Sequence, residues 1–381
     1  SPPLFPPSPH SAGMWARQLG QLSNVSIPNQ AAEHYYLLTD TMKAVDPLWP
    51  VIEDPRSCTY IRPEGGGLLV GLFETQAAAW NVSHVPDFSF GEIQPDWERM
   101  TPFVEKAMAR VPAALSAGVK QFFCGPESFT PDGGPIVGEA PEIRGYFVAA
   151  GLNSIGILSG GGIGRLLARW IKHGSPQDDV TGMNIDRFHK YQCNPQYRAA
   201  RVVETLGDVY QCHYPYKSKQ SARGAKRTPL YDRLKKMGGR FRDVSGWECA
   251  DWFAGDEKAL QSMVQQQGGR YSWGREVWFE QWEREHRACR EGVVLIDMSF
   301  MSKFVVEGQD AGAFLNRLCT ADVNGAVDTI TYTQFLNTGG RLEADVTVMK
   351  QGRDRFVVIA TDTAHRHCEA WMRKHLGMPL P

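Results

Sequence analysis

A run of glycines between a predicted strand and a predicted helix constrains this chain more than any other feature of its sequence. The run covers Gly151–Gly164 and reads GLNSIGILSGGGIG. It follows a β-rich segment, Tyr146–Ala150, and continues into a helix whose apolar residues recur at helical spacing up to Ile171. Glycines at such a junction let backbone N–H groups approach an anion or a flat ring, and the helix N-terminus adds positive potential. Because the run is not the usual GxGxxG motif, cofactor contact and tight packing both remain open.

The composition argues against several other classes of protein. The chain has 381 residues, of which 41 are basic and 42 acidic, so its net charge is -1. This balance argues against binding of nucleic acid through a basic face. No stretch approaches the roughly 18 uninterrupted apolar residues of a membrane-spanning helix. The 8 cysteines include no CxxC pair, which predicts no zinc site and favours free thiols in a reducing compartment.

The chain divides into four predicted regions. Residues 1–10 are rich in proline and are predicted to be disordered, whereas 11–185 form a mixed α/β region. Residues 186–228 are polar and increasingly basic, which is typical of a solvated linker, and 229–381 form a second region of strands and helices. The predicted strands are His34–Leu38, Thr59–Arg62, Leu68–Phe73, Val119–Cys124, Tyr146–Ala150, Val293–Asp297, Lys303–Val306, Thr347–Met349 and Phe356–Ile359. The predicted helices are Pro95–Arg110, Asp310–Leu318 and Thr363–His375.

Two further patterns carry possible chemistry. The segment Gly125–Asp132 reads GPESFTPD and predicts a rigid loop able to hold polar groups beside a ligand, although an ordinary structural loop explains it equally simply. His34 and Tyr60 lie on two predicted strands, where they would supply a proton acceptor and a hydrogen-bond donor to a pocket. Taken singly, a histidine or tyrosine on a strand is more often structural.

Several motifs, taken in their order, resemble a known family. They are Ala12–Arg17 (AGMWAR), His34-Tyr35-Tyr36, Tyr60-Ile61-Arg62, the GPESFTPD loop and Gly151–Gly164. This set resembles the C-terminal half of the flavin domain in the sarcosine and dimethylglycine dehydrogenases. The pyruvate dehydrogenase phosphatase regulatory subunit is a relative with the same layout.

The downstream sequence is similar to the start of the folate-binding aminomethyltransferase fold of the glycine cleavage T-protein. The matching residues are Thr228–Asp232, Gly246-Trp247, Asp297–Ser299, Leu336-Asn337 and Asp345–Val348. The resemblance therefore implies an α/β and α+β fold. The C-terminal part of an FAD-dependent oxidoreductase domain of the DAO type would be followed by the N-terminal part of a GcvT-like domain.

In this family, a flavin removes a hydride equivalent from an N-methyl group, and the iminium product is hydrolysed or captured by tetrahydrofolate. The resemblance thus implies FAD and tetrahydrofolate as cofactors and a methylated glycine as substrate. It assigns proton handling to His34 and substrate positioning to Tyr60. The implied contacts with FAD are Gly151, Asn153, Gly156, Gly160, Gly161 and Gly162.

The second cofactor and the cellular context are also implied by the resemblance. Asp345 matches the aspartate that faces the reactive nitrogens of the folate, where a carboxylate stabilises developing positive charge. An electron-transfer flavoprotein is the implied electron acceptor. The implied location is the mitochondrial matrix, with the cytoplasm as the alternative.

The sequence contains no counterpart of the nucleotide-binding first half of the flavin domain. We therefore expect the chain to be the middle of a longer protein, and we expect the isolated chain not to bind flavin tightly. Two functions remain open: oxidative N-demethylation of sarcosine or dimethylglycine, and a non-catalytic regulatory role in a complex like the mitochondrial pyruvate dehydrogenase phosphatase.

Overall fold

The computed structural model describes residues 7–82, 88–269 and 271–377. The chain forms two compact units, the first up to Ala222 and the second from Arg223 onwards. Both units combine helices with β-sheets, as the mixed fold class predicts. Within the described ranges, every helix is too short or too polar to cross a membrane.

The first unit contains strands β1 to β8 and helices α1 to α4. The strands are β1 Ser8–His10, β2 Gln30–Thr39, β3 Ile52–Asp54, β4 Thr59–Glu64, β5 Gly67–Leu72, β6 Val119–Phe129, β7 Ile136–Glu139 and β8 Tyr146–Ala150. The helices are α1 Ala16–Leu22, α2 Trp97–Ala109, α3 Gly156–His173 and α4 Pro195–Gly207. The five predicted strands and the predicted helix at Pro95–Arg110 in this part of the chain are confirmed.

A five-stranded antiparallel sheet in the order β3-β4-β5-β2-β6 dominates this unit. Successive side chains of a strand point to opposite faces, so each strand contributes to both sides of the sheet. Helix α2 covers one face, and its Met100 and Phe103 pack against Tyr35 and Leu37 of β2. The helix begins after Asp96, whose side chain accepts a hydrogen bond from the Arg99 backbone N–H at 3.0 Å.

The smaller sheet corrects the prediction for the N-terminal segment. Residues 1–10 were expected to be disordered, but Ser8–His10 form β1, which pairs in parallel with β8. The order β1-β8-β7 places β1 at the edge of its sheet. Proline has no backbone N–H group, and an edge strand tolerates this because its outer side pairs with no other strand. The His10 ring also stacks on Tyr146 with the ring centroids 4.0 Å apart. Residues 1–6 lie outside the described residues.

The region predicted as a linker, 186–228, contains packed structure. Val202 and Leu206 of helix α4 are buried in one apolar cluster with Phe73 and Phe129. The expected solvated charges are paired as well, since the ammonium groups of Lys217 and Lys219 lie 2.8 Å and 2.9 Å from the two carboxylate oxygens of Asp208. Helix α4 was not predicted because the segment is polar and rich in tyrosine, although its apolar residues recur at helical spacing.

The second unit contains strands β9 to β15 and helices α5 to α9. The strands are β9 Lys226–Arg227, β10 Gly239–Val244, β11 Trp247–Phe253, β12 Ser302–Glu307, β13 Ile330–Leu336, β14 Leu342–Gly352 and β15 Arg355–Ala360. The helices are α5 Tyr231–Lys236, α6 Glu257–Gln267, α7 Phe279–Glu291, α8 Ala311–Leu318 and α9 His365–His375. An antiparallel sheet in the order β12-β15-β14-β13 packs one face against α8 and α9.

One predicted strand of the second unit is wrong. Val293–Asp297 has the β-branched composition of a strand, but the structure gives it no regular secondary structure. The side chains of Val293 and Leu295 are 97% and 96% exposed. A strand needs a neighbour for its backbone hydrogen bonds, and no described strand pairs with this segment.

Candidate active site

The register of the five-stranded sheet brings His34 and Tyr60 to the same face. Tyr36 of β2 and Tyr60 of β4 both pair with Gly71 of β5, so the three residues form one row across the sheet. His34 precedes Tyr36 by two positions and therefore points to the same side. This side is opposite to the one that helix α2 covers, and we call it the site face.

Gly71 makes room for the ring of Tyr60. A Cβ atom built on Gly71 would lie 1.8 Å from the Tyr60 Cζ atom, so the tyrosine ring occupies the space above this residue. Any larger residue at position 71 would force the ring to move. The glycine therefore fixes where the Tyr60 hydroxyl can lie.

Phe73 connects the two predicted site residues. Its ring centroid lies 4.8 Å from that of His34, 5.9 Å from that of Tyr60 and 4.7 Å from that of Tyr210. Tyr36, in the same row as Tyr60, stacks on Phe123 with the ring centroids 4.7 Å apart. The site face thus carries His34 and Tyr60 as polar groups among aromatic rings, and helix α4 packs on the part of it around Phe73 and Phe129.

His34 is buried, and one of its ring nitrogens has no partner. Its Nδ1 atom is inaccessible to solvent and neither accepts nor donates a hydrogen bond. Its Nε2 atom lies 3.8 Å from a carboxylate oxygen of Glu127. Burial lowers the pKa of His34, and the negative charge of Glu127 opposes this shift only in part. His34 is therefore a neutral imidazole at neutral pH, with one buried ring nitrogen that has no hydrogen-bond partner.

Tyr60 keeps its proton over a wider range of pH than an ordinary tyrosine. Burial raises the pKa of Tyr60, and Glu127 raises it further, whereas Arg62 opposes both effects. The hydroxyl therefore remains a hydrogen-bond donor at physiological pH. It is suited to positioning a polar group and not to removing a proton.

A strained turn joins the site face to the glycine-rich helix. Asn153 and Ser154 both adopt left-handed backbone conformations, with φ values of 50° and 70°, just before α3 begins at Gly156. The Ser154 hydroxyl donates a hydrogen bond to a carboxylate oxygen of Glu127 at 2.5 Å. The turn that precedes α3 is therefore directly connected to the carboxylate beside His34.

Asn153 and Gly151 serve the turn itself. The Asn153 side chain donates to the Gly151 carbonyl at 2.7 Å and accepts from the Thr130 backbone N–H at 3.0 Å. Gly151 has a φ of 59°, and a Cβ atom there would lie 2.4 Å from the Thr130 methyl group. These contacts fix the path of the chain from β8 into α3. In this structure the amide of Asn153 bonds to Gly151 within the turn and to Thr130, which follows β6.

The glycines of α3 leave one side of the helix open. Cβ atoms built on Gly160, Gly161 and Gly162 would meet no other atom within 4 Å. A helix surface without side chains allows a ligand to approach the backbone closely, and Gly156 stands at the positive end of the helix. The residues present therefore fit an anionic, flat cofactor such as FAD.

A buried ionic network supports the sheet from its other face. The guanidinium of Arg99 pairs with Glu33 and, at 3.0 Å, with Glu74, and it donates to the Tyr35 hydroxyl at 3.1 Å. Glu74 is 0% exposed, and one of its carboxylate oxygens has no hydrogen-bond partner. Burial raises the pKa of Glu74 to about 7 despite the contact with Arg99. Glu74 directly follows Phe73, so the network adjoins the site face.

Asp345 lies in the second unit on an exposed sheet face. It is on β14 opposite Gln334 of β13, and its carboxylate oxygen is 3.5 Å from the Gln334 amide nitrogen. A hydrogen bond with Asp345 raises the pKa of Tyr332, whose side chain is 66% exposed. The carboxylate thus stands beside an amide and an exposed aromatic ring, and these groups suit a pterin.

No motif in the sequence singles out Glu127, Ser154 or the Arg99 network. Glu127 lies within the GPESFTPD motif, and Ser154 lies within the glycine-rich run. The motif was predicted to be a rigid loop, but Gly125–Phe129 belong to strand β6, and this strand pairing places Glu127 on the sheet. The available signal was the position of Ser154 two residues before the helix. Its contact with Glu127 depends on strand pairing that the sequence does not reveal.

Comparison with known families agrees with this architecture. Residues 10–170 match the family described as FAD dependent oxidoreductase, and residues 173–228 match the FAD dependent oxidoreductase central domain. Residues 230–379 match the GCVT N-terminal domain.

Three curated relatives align with most of the chain. The chain is 38% identical to 4-methylaminobutanoate oxidase (formaldehyde-forming) of Paenarthrobacter nicotinovorans, over 96% of this chain and 43% of the relative. It is 34% identical to human mitochondrial sarcosine dehydrogenase, over 89% of this chain and 39% of the relative. It is 33% identical to the mouse mitochondrial pyruvate dehydrogenase phosphatase regulatory subunit, over 96% of this chain and 42% of the relative.

The chain is a homologue of the sarcosine and dimethylglycine dehydrogenases. Its matches to the oxidoreductase domains and to the GCVT N-terminal domain occur in the predicted order, which confirms both the resemblance and the fold class. The chain spans about two fifths of the length of the curated relatives that it matches.

Proposed function

We propose that this protein acts in the FAD-dependent oxidation of an N-methylated amine. The observation that carries the proposal is the buried, unpartnered Nδ1 atom of His34 on the same sheet face as Tyr60, next to the turn that leads into the glycine-rich helix. The substrates named for the relatives include sarcosine, dimethylglycine and 4-methylaminobutanoate, and we propose a substrate of this class.

His34 would hold the proton that an ammonium substrate must lose. An amine is oxidised as its neutral form, because the nitrogen lone pair forms the C=N bond when the N-methyl C–H bond breaks. Since burial lowers the pKa of His34, the imidazole is neutral at pH 7 and its Nδ1 atom can accept this proton. Tyr60, which remains protonated, would orient the substrate by donating a hydrogen bond.

The glycine-rich helix would hold the cofactor. We propose that FAD contacts the backbone of Gly156, Gly160, Gly161 and Gly162, with Gly151 and Asn153 shaping the turn that positions the helix N-terminus. Bound FAD would supply the chemistry of a hydride acceptor for the N-methyl carbon. The aromatic site face would keep water away from the reacting carbon.

The finer assignments follow from the homologues and from the second unit. We propose that tetrahydrofolate binds near Asp345 and Tyr332 and accepts the one-carbon unit. We further propose an electron-transfer flavoprotein as the electron acceptor. Because several relatives are named as mitochondrial, we propose the mitochondrial matrix as the location.

The test is anaerobic addition of sarcosine, dimethylglycine or 4-methylaminobutanoate to the full-length protein loaded with FAD. We expect the flavin absorbance to bleach with one of them. His34→Gln should slow the bleaching by about 10²-fold or more, and Tyr60→Phe by about tenfold. His173→Gln, which changes an exposed histidine at the end of α3, is the matched control and should leave the rate unchanged. Absence of FAD binding in the full-length protein, or an unchanged rate in His34→Gln, would contradict the proposal.

A second candidate is a non-catalytic regulatory role. The specific observation is the 33% identity to the pyruvate dehydrogenase phosphatase regulatory subunit, which extends over 96% of this chain. This alternative predicts a stable complex with a phosphatase and no amine-dependent bleaching. Co-purification of such a phosphatase from the source cells, combined with no bleaching by any of the three amines, would favour it over the oxidase proposal.

A further inference from the structure

We propose that Glu127, held in place by Ser154, is the positioning residue that fixes which ring nitrogen of His34 carries the hydrogen. In this arrangement Nε2 keeps its hydrogen towards the Glu127 carboxylate, and Nδ1 stays free as the proton acceptor. The inference rests on the proposed function, because it assigns His34 the role of proton acceptor. It adds a residue and an atomic arrangement to that function.

The strand register places Glu127 next to His34. His34 of β2 pairs with Gly125 of β6, and Glu127 follows Gly125 by two positions, so its side chain points to the site face. The ring of Phe123 occupies the space above Gly125, since a Cβ atom built there would lie 2.7 Å from the Phe123 Cε1 atom. The separation of 3.8 Å between Nε2 and the carboxylate oxygen is within ion-pair distance. A small movement of either side chain would close it to a hydrogen bond.

Ser154 determines where that carboxylate lies. Its hydroxyl donates to the same oxygen atom of Glu127 that faces His34, at 2.5 Å. Ser154 can reach this atom because it and Asn153 adopt left-handed conformations, which are unfavourable for residues other than glycine. The surrounding hydrogen bonds of Asn153 maintain this turn. The unfavourable backbone thus brings a specific hydroxyl to a specific carboxylate.

Glu127 is the charged group that acts on the imidazole. The rings that face His34 are Phe73, next to β5, and Phe129, at the end of β6, and both are uncharged. From β4, the site face carries Tyr60, whose hydroxyl is protonated, and Arg62, which pairs with Glu64. On β2 itself, Tyr36 shares the face, whereas Glu33 points to the other face, where it binds Arg99. Among the described groups, burial and Glu127 are the causes of the shift in the pKa of His34.

A neutral imidazole carries its hydrogen on one nitrogen only, and the partner of that nitrogen selects it. A carboxylate beside Nε2 stabilises the form with hydrogen on Nε2, because the N–H dipole then points at the negative charge. The buried Nδ1 atom is left with a free lone pair and no competing partner. Without Glu127 the Nε2–H and Nδ1–H tautomers would become more equal in energy. Nδ1 would then have a free lone pair for only part of the time.

The first experiment measures the tautomer directly and needs neither cofactor nor substrate. The chain is labelled with ¹⁵N-histidine, and the signals of His34 are assigned by their loss in His34→Gln. We expect the wild type to show hydrogen on Nε2. Glu127→Gln should give a mixed or reversed tautomer and lower the pKa of His34 further, because the negative charge that raises it is lost. Ser154→Ala, which keeps the carboxylate but removes its anchor, should give a smaller change in the same direction.

The matched control is Glu64→Gln, the same chemical change at an exposed position at the end of strand β4, which pairs with neither β2 nor β6. It should leave both the tautomer and the pKa of His34 unchanged. If Glu127→Gln does not fold, as judged by thermal unfolding, then Ser154→Ala and Glu127→Asp carry the test. An Nε2-protonated His34 with an unaltered pKa in whichever of these variants fold would overturn the proposal.

The second experiment links the positioning role to turnover in the full-length, FAD-loaded protein. Glu127→Gln should lower kcat for amine-dependent flavin reduction more than it raises KM, and it should move the acidic limb of the pH profile to lower pH. Its failure is distinguishable from failure of the proposed function. If no amine bleaches the flavin while the tautomer still depends on Glu127, then the oxidase proposal fails and the positioning contact stands. If the flavin is bleached while the tautomer is independent of Glu127, then the oxidase proposal stands and the positioning role of Glu127 fails.

Discussion

The two candidate sites of this chain are built on antiparallel sheets, but the sheets present them differently. In the first unit, His34 and Tyr60 pack against Phe73, and His34 Nδ1 is buried without a partner. In the second unit, Asp345 is exposed on the outer face of its sheet, 3.5 Å from its neighbour Gln334. The polar groups of the first site are fixed by packing, whereas that of the second site is accessible.

This difference indicates how much each unit pays in folding stability for the polar groups of its site. A buried nitrogen without a hydrogen bond is energetically costly, so the first unit holds a destabilised group ready for a ligand. An exposed carboxylate costs almost nothing to fold and gains its function only when a ligand covers it. Substitutions should therefore alter the stability of the chain strongly in and around the first site and weakly at the second.

The largest expected effect is at Glu74, beneath the first site. Its pKa of about 7 lies above the ordinary value of 4.5, so the folded chain binds this proton more tightly than the unfolded chain does. Stability from this group is therefore complete below pH 4.5 and is lost as the pH rises towards 7. Glu74→Gln should unfold at similar denaturant concentrations to the wild type at pH 4.5, but should be more stable at pH 8 by up to about 3 kcal/mol. The exposed Glu64→Gln is the control, and a pH-independent difference for Glu74→Gln would show that the carboxyl does not titrate as expected.

Gly71 tests whether packing fixes the site face. Gly71→Ala should lower the free energy of unfolding by about 1–3 kcal/mol, because the new methyl group would overlap the Tyr60 ring. Denaturant unfolding of the chain measures this change. The double variant Gly71→Ala/Tyr60→Ala removes the ring that causes the overlap, so it should lose much less stability relative to Tyr60→Ala alone. Equal losses in both backgrounds would mean that Tyr60 does not occupy the space above Gly71.

Sequence patterns predicted most strands correctly, because those strands are runs of β-branched and aromatic residues between turns. Thr59–Arg62 and Tyr146–Ala150 are observed within one or two residues of their predicted ends. Val293–Asp297 has the same composition but forms no strand, because pairing depends on a neighbour and not on composition. Strand β1 was missed for the opposite reason, since its prolines are tolerated at a sheet edge.

The site was predictable as separate residues but not as an arrangement. His34 and Tyr60 could be selected from the motifs, yet their shared face depends on the common pairing with Gly71 across three strands. Glu127 contacts Ser154 although the two are 27 positions apart in the chain. Contacts of this kind follow from strand register and from an unfavourable turn, and neither leaves a local pattern in the sequence.

A smaller change in the free energy of unfolding, opposite in sign to that of Gly71→Ala, is expected at the glycines of α3. Gly160→Ala should stabilise the chain by about 0.5–1 kcal/mol, because alanine is the better helix former and its methyl group meets no other atom. Gly151→Ala, the comparison variant, should destabilise it, since that position has a φ of 59° and contacts Thr130. In the full-length protein, Gly160→Ala should nevertheless weaken FAD binding. A stabilised variant with unchanged FAD affinity would remove Gly160 from the cofactor contacts.

The smallest effect is expected at the second site. Asp345→Asn should change the free energy of unfolding by less than about 0.5 kcal/mol, because the carboxylate is exposed and its 3.5 Å contact with the Gln334 amide is long for a hydrogen bond. Asp322→Asn, in the same unit, should lower the free energy of unfolding more than Asp345→Asn does, since Asp322 accepts hydrogen bonds from Asn316 at 2.7 Å and from the Asn324 backbone at 2.9 Å. Thermal and denaturant unfolding measure both. If Asp345→Asn destabilised the chain as much as Asp322→Asn, the carboxylate would be part of the folded framework, and the contrast between a prepacked first site and an open second site would fail. If its stability is unchanged while folate-dependent capture of the one-carbon unit falls in the full-length protein, Asp345 acts on a ligand and not on the fold.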